Sequence, residues 1–282
     1  MHAQVIPAGL AFPEGLAWSE REGAMIVTAT QGGHVYRLDP ATGSVALVAD
    51  VGGGANNTTL ADDGGIVVAQ NSGIRAATYP DVEIRPARPG LQRIAPDGRI
   101  TYLLSEGVNA PNDVVAHPDG SLYFTDPGLP RQGAGYTGGR IMRFDVREGL
   151  SVIADGLFYP NGIAIDPQGA VLVTERHGLM RIETDGRKTL VVDTLTDHGG
   201  DGLCIDERGL YYVSMRARAG AQAINADGQF LDFVPFPGGR TTTNCCFGGP
   251  DMNWLFMTDS MGDLCIVRDM PTRGPAPPLA RL

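Results

Sequence analysis

The chain has 282 residues, 43% of them hydrophobic, which supports a sizeable core and argues against disorder. Lys and Arg number 22 against 32 Asp and Glu, a net charge of −10 with no basic stripe, and this excludes the usual footprint of a nucleic-acid binder. No apolar run approaches the ~18 residues that cross a bilayer, and Met1-His-Ala-Gln-Val lacks a basic then apolar leader, so the expectation is a cytoplasmic protein with no membrane partner.

Val5-Ile6 comes first, an apolar pair placed to join the last structural unit. Six segments of one grammar follow. The first runs from Phe12-Pro-Glu-Gly-Leu-Ala-Trp18 through Ala24–Thr28 to His34–Asp39. The second holds Asn56–Gly64 and Ile66–Gln70 and, after an insertion Ser72–Pro89, resumes at Leu91. The third is Pro111–Asp126, two apolar strands about an Asp119-Gly120 turn, followed after a loop Gly128–Gly139 by Arg140–Asp145. The fourth is Pro160–Gly169, Val171–Glu175 and Leu179–Glu183; the fifth is Gly200–Gly209 and Leu210–Ser214. The sixth is Thr243–Gly249, Leu255–Asp259 and Asp263–Arg268, and a Pro-rich tail after Met270 reads as a loose end. Apolar runs on both sides of an Asp-Gly or similar pair are a strong hairpin signal.

The register is tight. Asn56, Asn112, Asn161 and Asp201 each precede a turn glycine (Gly64, Gly120, Gly169, Gly209) by eight residues. Taking Glu14 and Asn244 as the remaining starts, the six lie 42, 56, 49, 40 and 43 residues apart. A period of about 40–50 residues with several short strands per unit is the mark of propeller blades. The predicted fold is all-β, a six-bladed β-propeller forming one domain over residues 1–282. The Ser72–Pro89 and Gly128–Gly139 loops read either as surface excursions or as lids over one mouth.

The first strand of each blade lines the axis of a propeller, so residues far apart in sequence converge there. Glu14, Asn56, Asn112, Asn161, Asp201 and Asn244 all carry side-chain oxygens. One such residue is ordinarily a turn or cap residue. Six in register point instead to a hard divalent cation held by carboxylates and amides. The histidines are weaker signals: His117 sits at a turn end away from the axis, whereas His198, three residues before Asp201, reads as a pocket acid or base or as a plain loop residue. No nucleophile elbow or phosphate-binding loop is present. Cys204, Cys245, Cys246 and Cys265 fit no metal spacing and read as reduced, buried thiols.

In this order and spacing Phe12-Pro-Glu-Gly15, Pro111-Asn-Asp-Val114 with Phe124-Thr-Asp-Pro127, Tyr159-Pro-Asn-Gly162, Gly200-Asp-Gly202 and Thr243-Asn-Cys-Cys-Phe-Gly-Gly249 resemble the gluconolactonase, senescence-marker-protein (regucalcin) and luciferin-regenerating-enzyme family. The resemblance implies one catalytic divalent metal, Ca, Zn, Mn, Mg or Fe, in the axial channel. It assigns Glu14, Asn161 and Asp201 as ligands and Asn112 as a further ligand or substrate-contacting amide. It also implies hydrolysis of a small lactone, the metal acting as Lewis acid and Asp201 as general base. Asn112, Asn56, His198, Tyr159 and Asn244 are then the expected substrate contacts. Sugar-lactone members carry an arginine two residues before the third-blade asparagine; here that position is Ala110. Two other readings share the same axial residues: a phosphotriesterase-type hydrolase, and a binding scaffold with a structural metal.

Overall fold

The computed structural model describes residues 1–73, 79–127, 138–175, 178–195 and 199–282. It contains six four-stranded antiparallel sheets, and among the described residues there is no helix. The six sheets are the blades, taken below in chain order. Their inner strands are β2 (Pro13–Ser19), β6 (Ala55–Leu60), β10 (Val114–Ala116), β14 (Pro160–Ile165), β18 (Gly200–Ile205) and β22 (Thr242–Gly248). Each pairs with the strand that follows it: β3 (Ala24–Ala29), β7 (Ile66–Gln70), β11 (Leu122–Asp126), β15 (Val171–Glu175), β19 (Tyr211–Met215) and β23 (Trp254–Asp259).

Burial follows position in the blade. All seven residues of β2 are buried, while the outermost strand of that blade, β5 (Val45–Asp50), is half-buried only at Val45 and Ala49 and otherwise exposed. A strand covered on both faces needs no polar alternation, which explains the continuous apolar runs of the inner and second strands. The core is accordingly divided into layers between blades. Tyr212, Val234 and Phe236 of blade 5 pack on Cys245, Phe247 and Met257 of blade 6. Trp18, Met25 and Val27 of blade 1 pack on Phe256 and Ile266 of blade 6.

The hairpin turns at the lower face are as the sequence predicts. Gly120 takes φ 91°, a conformation that costs a residue with a Cβ, and Asp119 Oδ1 accepts the Ser121 amide at 2.8 Å. The ring closes between the chain's two ends: β1 (His2–Ile6) is the outermost strand of blade 6, antiparallel to β24 (Leu264–Arg268), with Val5 opposite Cys265 and Ile6 opposite Leu264.

The tail after Met270 is not the loose end its composition suggests. Thr272 Oγ1 donates to Asp206 Oδ2 at 2.8 Å, and the Glu207 amide donates to Arg273 O at 2.8 Å. Farther along, the Gly274 amide meets Met252 O, the Ala280 amide meets Leu60 O, and the Arg281 amide meets Gly120 O at 2.8 Å. The segment therefore crosses the lower face as a strap from blades 5 and 6 to blades 2 and 3. Composition does not reveal this because the strap is held by backbone hydrogen bonds, which proline-rich sequence forms wherever a non-proline amide meets an acceptor.

The insertion between β7 and β8 (Gly90–Ile94) lies on the opposite face, and residues 74–78 fall outside the described residues. Its remainder reaches across two blades: Gln31 donates to Tyr79 O, the Tyr79 hydroxyl donates to Ser260 O at 3.1 Å, and the Gly53 amide donates to Arg85 O at 2.6 Å. Most of the Gly128–Gly139 loop, residues 128–137, lies outside the described residues.

Candidate active site

At the start of most inner strands the ladder slips. Pro13 pairs with Ala29 and Leu16 with Val27, so Glu14 and Gly15 together face the single residue Thr28. The same bulge sets Asn161-Gly162 against Thr174, Asp201-Gly202 against Ser214, and Asn56-Asn57 against Ala69. A β-bulge re-aims side chains that a regular strand would send to opposite faces. The bulges stack the channel in two tiers. Glu14, Asn56, Asn112, Asn161 and Asp201 stand in the upper tier, at the mouth. Gly15, Asn57, Asp113, Gly162, Gly202 and Asn244 form the lower tier.

Asn244 is therefore one residue out of the predicted register. Thr242 pairs with Asp259 and Asn244 with Thr258, which makes Thr243 the equivalent of Glu14. The Thr243 hydroxyl donates to Pro13 O at 2.7 Å, so of the six first positions five carry a carboxylate or amide and the sixth a hydroxyl already engaged. Asn244 instead donates through Nδ2 to Asp113 Oδ2 at 3.1 Å, from blade 6 to blade 3 across the axis. Asn57 bonds to the same carboxylate. Asp113, Asn57 and Asn244 thus close the channel beneath the upper tier. Glycines make room for them: a Cβ on Gly15 would lie 2.4 Å from the Asn57 Cα, and one on Gly202 would lie 2.1 Å from the Asn244 Cγ. Below this floor is a cavity of about 170 Å³ bounded by the inner strands and by Pro275, Pro277 and Pro278 of the strap.

Three carboxyls share this space, and all are shifted upward. Burial raises Glu14 well above the ordinary carboxylate range, and Asp201 and Asp113 add to it, while Arg216 opposes. Burial and then Asp201 push Asp113 up to about 7, against hydrogen bonds from Asn244 and Asn57. Burial raises Asp201 to about 6, with Arg216 and a hydrogen bond from Asn161 pulling it back. Arg216 Nε lies 3.8 Å from Asp201 Oδ2, and its side chain is 56% exposed at the mouth. Neither Asp113 nor Arg216 is among the sequence-predicted site residues.

Backbone strain marks the same strands. Phe12 and Tyr159 have φ of 60° and 53°, and Gly199 has 127°. Each lies two residues before Glu14, Asn161 or Asp201. A left-handed non-glycine residue costs of order 1 kcal/mol or more and persists where the surroundings fix it. The predicted contact Tyr159 is thus on the loop that delivers Asn161. The second strands anchor such loops with their last side chain: Glu175 Oε1 accepts the Phe158 amide at 2.6 Å, and Asp126 Oδ1 accepts the Ala110 amide at 2.7 Å. His198 lies outside the described residues.

The donor set fits a hard cation. The amide oxygens Asn56 Oδ1 and Asn112 Oδ1 and the carboxylate oxygen Asp113 Oδ1 are buried with no hydrogen-bond partner among the described residues. Unpaired buried acceptors and mutually repelling carboxylates are costly unless positive charge compensates them. Among the described residues no three His, Cys, Asp or Glu side chains are grouped to hold a metal by themselves, so amides have to complete any such set. The cysteines stay apart from the upper tier: all four are free, Cys204 and Cys245 lie Sγ to Sγ at 3.6 Å, and burial pushes the Cys246 thiol up to about 12.

Comparison with known proteins agrees with this architecture. Over 261 residues the chain is 27% identical to 6-deoxy-6-sulfogluconolactonase of Pseudomonas putida, covering 86% of this chain and 81% of that protein. It is 25% identical over 268 residues to regucalcin of Xenopus laevis, covering 88% and 82%. The fold superimposes on the crystal structure of a calcium-binding protein, regucalcin of Agrobacterium tumefaciens, with a TM-score of 0.80 at 19% identity, covering 97% and 95%. Residues 12–261 match the model of the SMP-30/gluconolactonase/LRE-like region, and the chain belongs to that family.

Proposed function

We propose that the protein is a divalent-metal-dependent lactonase that opens a small lactone to its hydroxy acid. The observation that carries this is the upper tier itself: two carboxylates and three amides converge, buried, at the mouth of a channel floored by a second polar tier. That two of the amide oxygens have no partner among the described residues supports a ligand there. The activity is drawn from the relatives whose names denote lactonases, among them the Pseudomonas putida protein.

Glu14, Asn161 and Asp201 would hold the cation, with Asn112 as a fourth ligand or as an amide contact to substrate. When bound, the cation would polarise the lactone carbonyl and stabilise the oxyanion that forms on it. Oxygen ligands of this kind suit Ca²⁺, Mg²⁺ or Mn²⁺ and also accept Zn²⁺ or Fe²⁺. Asp201 has two oxygens, so one would be available to hold the cation and the other to take a proton from the attacking water. The same carboxyl then returns that proton to the ring oxygen as the ester bond breaks. Asn56 and Tyr159 line the approach to this centre. Ala110 supplies no donor where sugar-lactone members have arginine, and Arg216 places a guanidinium at the mouth from another blade, next to Asp201. A cation there suits hydroxylated or anionic substituents of a lactone.

The test is hydrolysis of a lactone panel by protein stripped with chelator and then resupplied with single metals. Activity lost on stripping and restored by a divalent ion is the expected result. Turnover of phosphotriesters but not lactones, or metal binding without turnover, overturns the assignment.

A further inference from the structure

The second strand of each blade places one residue opposite the two that open the inner strand: Thr28, Ala69, Thr125, Thr174, Ser214 and Thr258. Four of these are threonines whose hydroxyls reach out of their own blade. Thr258 Oγ1 donates to Glu14 O at 2.8 Å, Thr28 Oγ1 to Asn56 O at 2.7 Å, Thr125 Oγ1 to Asn161 O at 2.6 Å and Thr174 Oγ1 to Asp201 O at 2.8 Å. Three of the hydroxyls also accept an amide from the bulge of their own blade. These amides are those of Asn244 at 3.0 Å, Asp113 at 3.0 Å and Gly162 at 2.8 Å. A hydroxyl that both accepts from one blade and donates to the next has no remaining rotational freedom, so it ties two inner strands at a fixed offset.

Threonine is favoured in strands, and a buried hydroxyl needs some partner, so one such bond would mean little. The pattern of exceptions carries the inference. Blade 2 has Ala69, with no hydroxyl, and blade 5 has Ser214, whose Oγ is buried without a partner among the described residues. The residues these two blades would brace are Asn112 and Thr243. Neither belongs to the trio Glu14, Asn161 and Asp201, and all three members of that trio are braced; the remaining brace, Thr28 on Asn56, falls outside the trio, and Asn112, the fourth ligand or substrate amide, has none.

We propose that Thr258, Thr125 and Thr174 are positioning residues that set the backbone of Glu14, Asn161 and Asp201 for metal binding, without touching the ion. This rests on the metal-dependent reading above. Losing one brace lets a donor drift relative to the other two, and a multidentate site is sensitive to such drift.

Calorimetric titration of full-length, chelator-treated protein with MnCl₂ and CaCl₂ tests it, with thermal melting in chelator as the measure of intrinsic stability. Thr174→Val keeps the shape and removes the hydroxyl; the affinity should fall about tenfold, and Thr174→Ser should return it to within about threefold of the parent. Thr28→Val removes the same kind of bond in front of Asn56. It should lower the melting temperature comparably and leave the metal affinity within about twofold, whereas Ser214→Ala, which removes a hydroxyl with no partner among the described residues, should leave both near the parent values. Parent-like affinity in Thr174→Val, or an equal loss in Thr28→Val, overturns the proposal and leaves the metal site standing. A parent protein that binds neither cation overturns both. If Thr174→Val does not fold, Thr125→Val and Thr258→Val make the same comparison.

Discussion

Blades 1, 4 and 5 enter the channel with an oxygen donor followed by glycine: Glu14-Gly15, Asn161-Gly162 and Asp201-Gly202. Blades 2, 3 and 6 enter with two polar residues in succession: Asn56-Asn57, Asn112-Asp113 and Thr243-Asn244. Both groups use the same bulge against the same second-strand position, so the backbone does not distinguish them. The side chain after the donor does. Where it is glycine, there is space for a neighbour; where it is polar, that side chain fills the space and closes the axis. Blades 1, 4 and 5 bring two carboxyls and an amide with open space beneath them, and blades 2, 3 and 6 bring the floor, one of whose members, Asp113, is itself a carboxyl.

This division can be broken experimentally, and the largest effect should come from the donors. Asp201→Asn and Glu14→Gln should each lower lactone turnover by ~10³-fold in metal-loaded protein, the first because base and ligand charge are lost together, the second because a charged ligand is lost. Asp113→Asn keeps the shape of the floor and should cost about tenfold or less. Steady-state kinetics on one lactone checks all three. A loss in Asp113→Asn as deep as in Asp201→Asn would merge the two tiers into one catalytic unit.

Next come the glycines. A Cβ on Gly162 would lie 2.3 Å from Asp201 O and 2.7 Å from the Gly202 Cα, both backbone atoms, so Gly162→Ala should destabilise by about 3 kcal/mol. The three atoms nearest a Cβ on Gly202 all belong to the Asn244 side chain, and adding Asn244→Ala should recover most of the loss in Gly202→Ala. Denaturant melts of the single and double variants give the answer. Failure of the second substitution to rescue would show that Gly202 is needed for its backbone and not for the room it leaves.

The third test is pH. The carboxyls of Asp201 and Asp113, raised to about 6 and about 7, bind protons in the folded state that the unfolded chain releases near pH 4. The folded state then holds more protons than the unfolded, so the stability of metal-free protein falls as pH rises from about 4 to about 7. A divalent cation should reverse the trend, giving a larger rise in melting temperature at pH 7.5 than at pH 4.5. Melting curves with and without chelator across that range measure it. A metal-free protein that gains stability over the same window would contradict the crowding of charge in the channel.

The smallest effect is expected at the mouth. Arg216→Ala should raise KM several-fold with little change in kcat on a hydroxylated lactone. Arg216 holds the Asp201 pKa down, so its removal should also shift the acid limb of the pH–rate profile upward. An unchanged profile would mean that Arg216 is too well solvated to act on Asp201.

The ring was readable from the sequence because its signal is repetition, and strand, turn and spacing all agree in every blade. The upper tier was readable for five residues for the same reason. Asn244 was misplaced because Thr243-Asn244 looks like the other starts, while the pairing of β22 with β23 sets the register one residue earlier. Asp113 was overlooked because strict alternation sends the neighbour of Asn112 away from the axis, and only the bulge brings both inside. Arg216 follows β19 in a loop with no motif around it. The strap was hidden because proline-rich sequence says nothing about which carbonyls its few amides will find.

The pairing of β1 with β24 has a consequence for how the molecule is made. Two strands that touch at every residue from His2 to Ile6 are separated by most of the chain. During synthesis β1 emerges early and has no partner until the last blade exists, and through that time blade 6 cannot be a complete sheet. Closure is therefore a late, long-range event of the kind that slows folding. Until it happens, β24 has an open edge that a β1 from another copy could fill as well as its own. Expression at high concentration thus sets two ring-closing reactions against each other, one within a chain and one between chains.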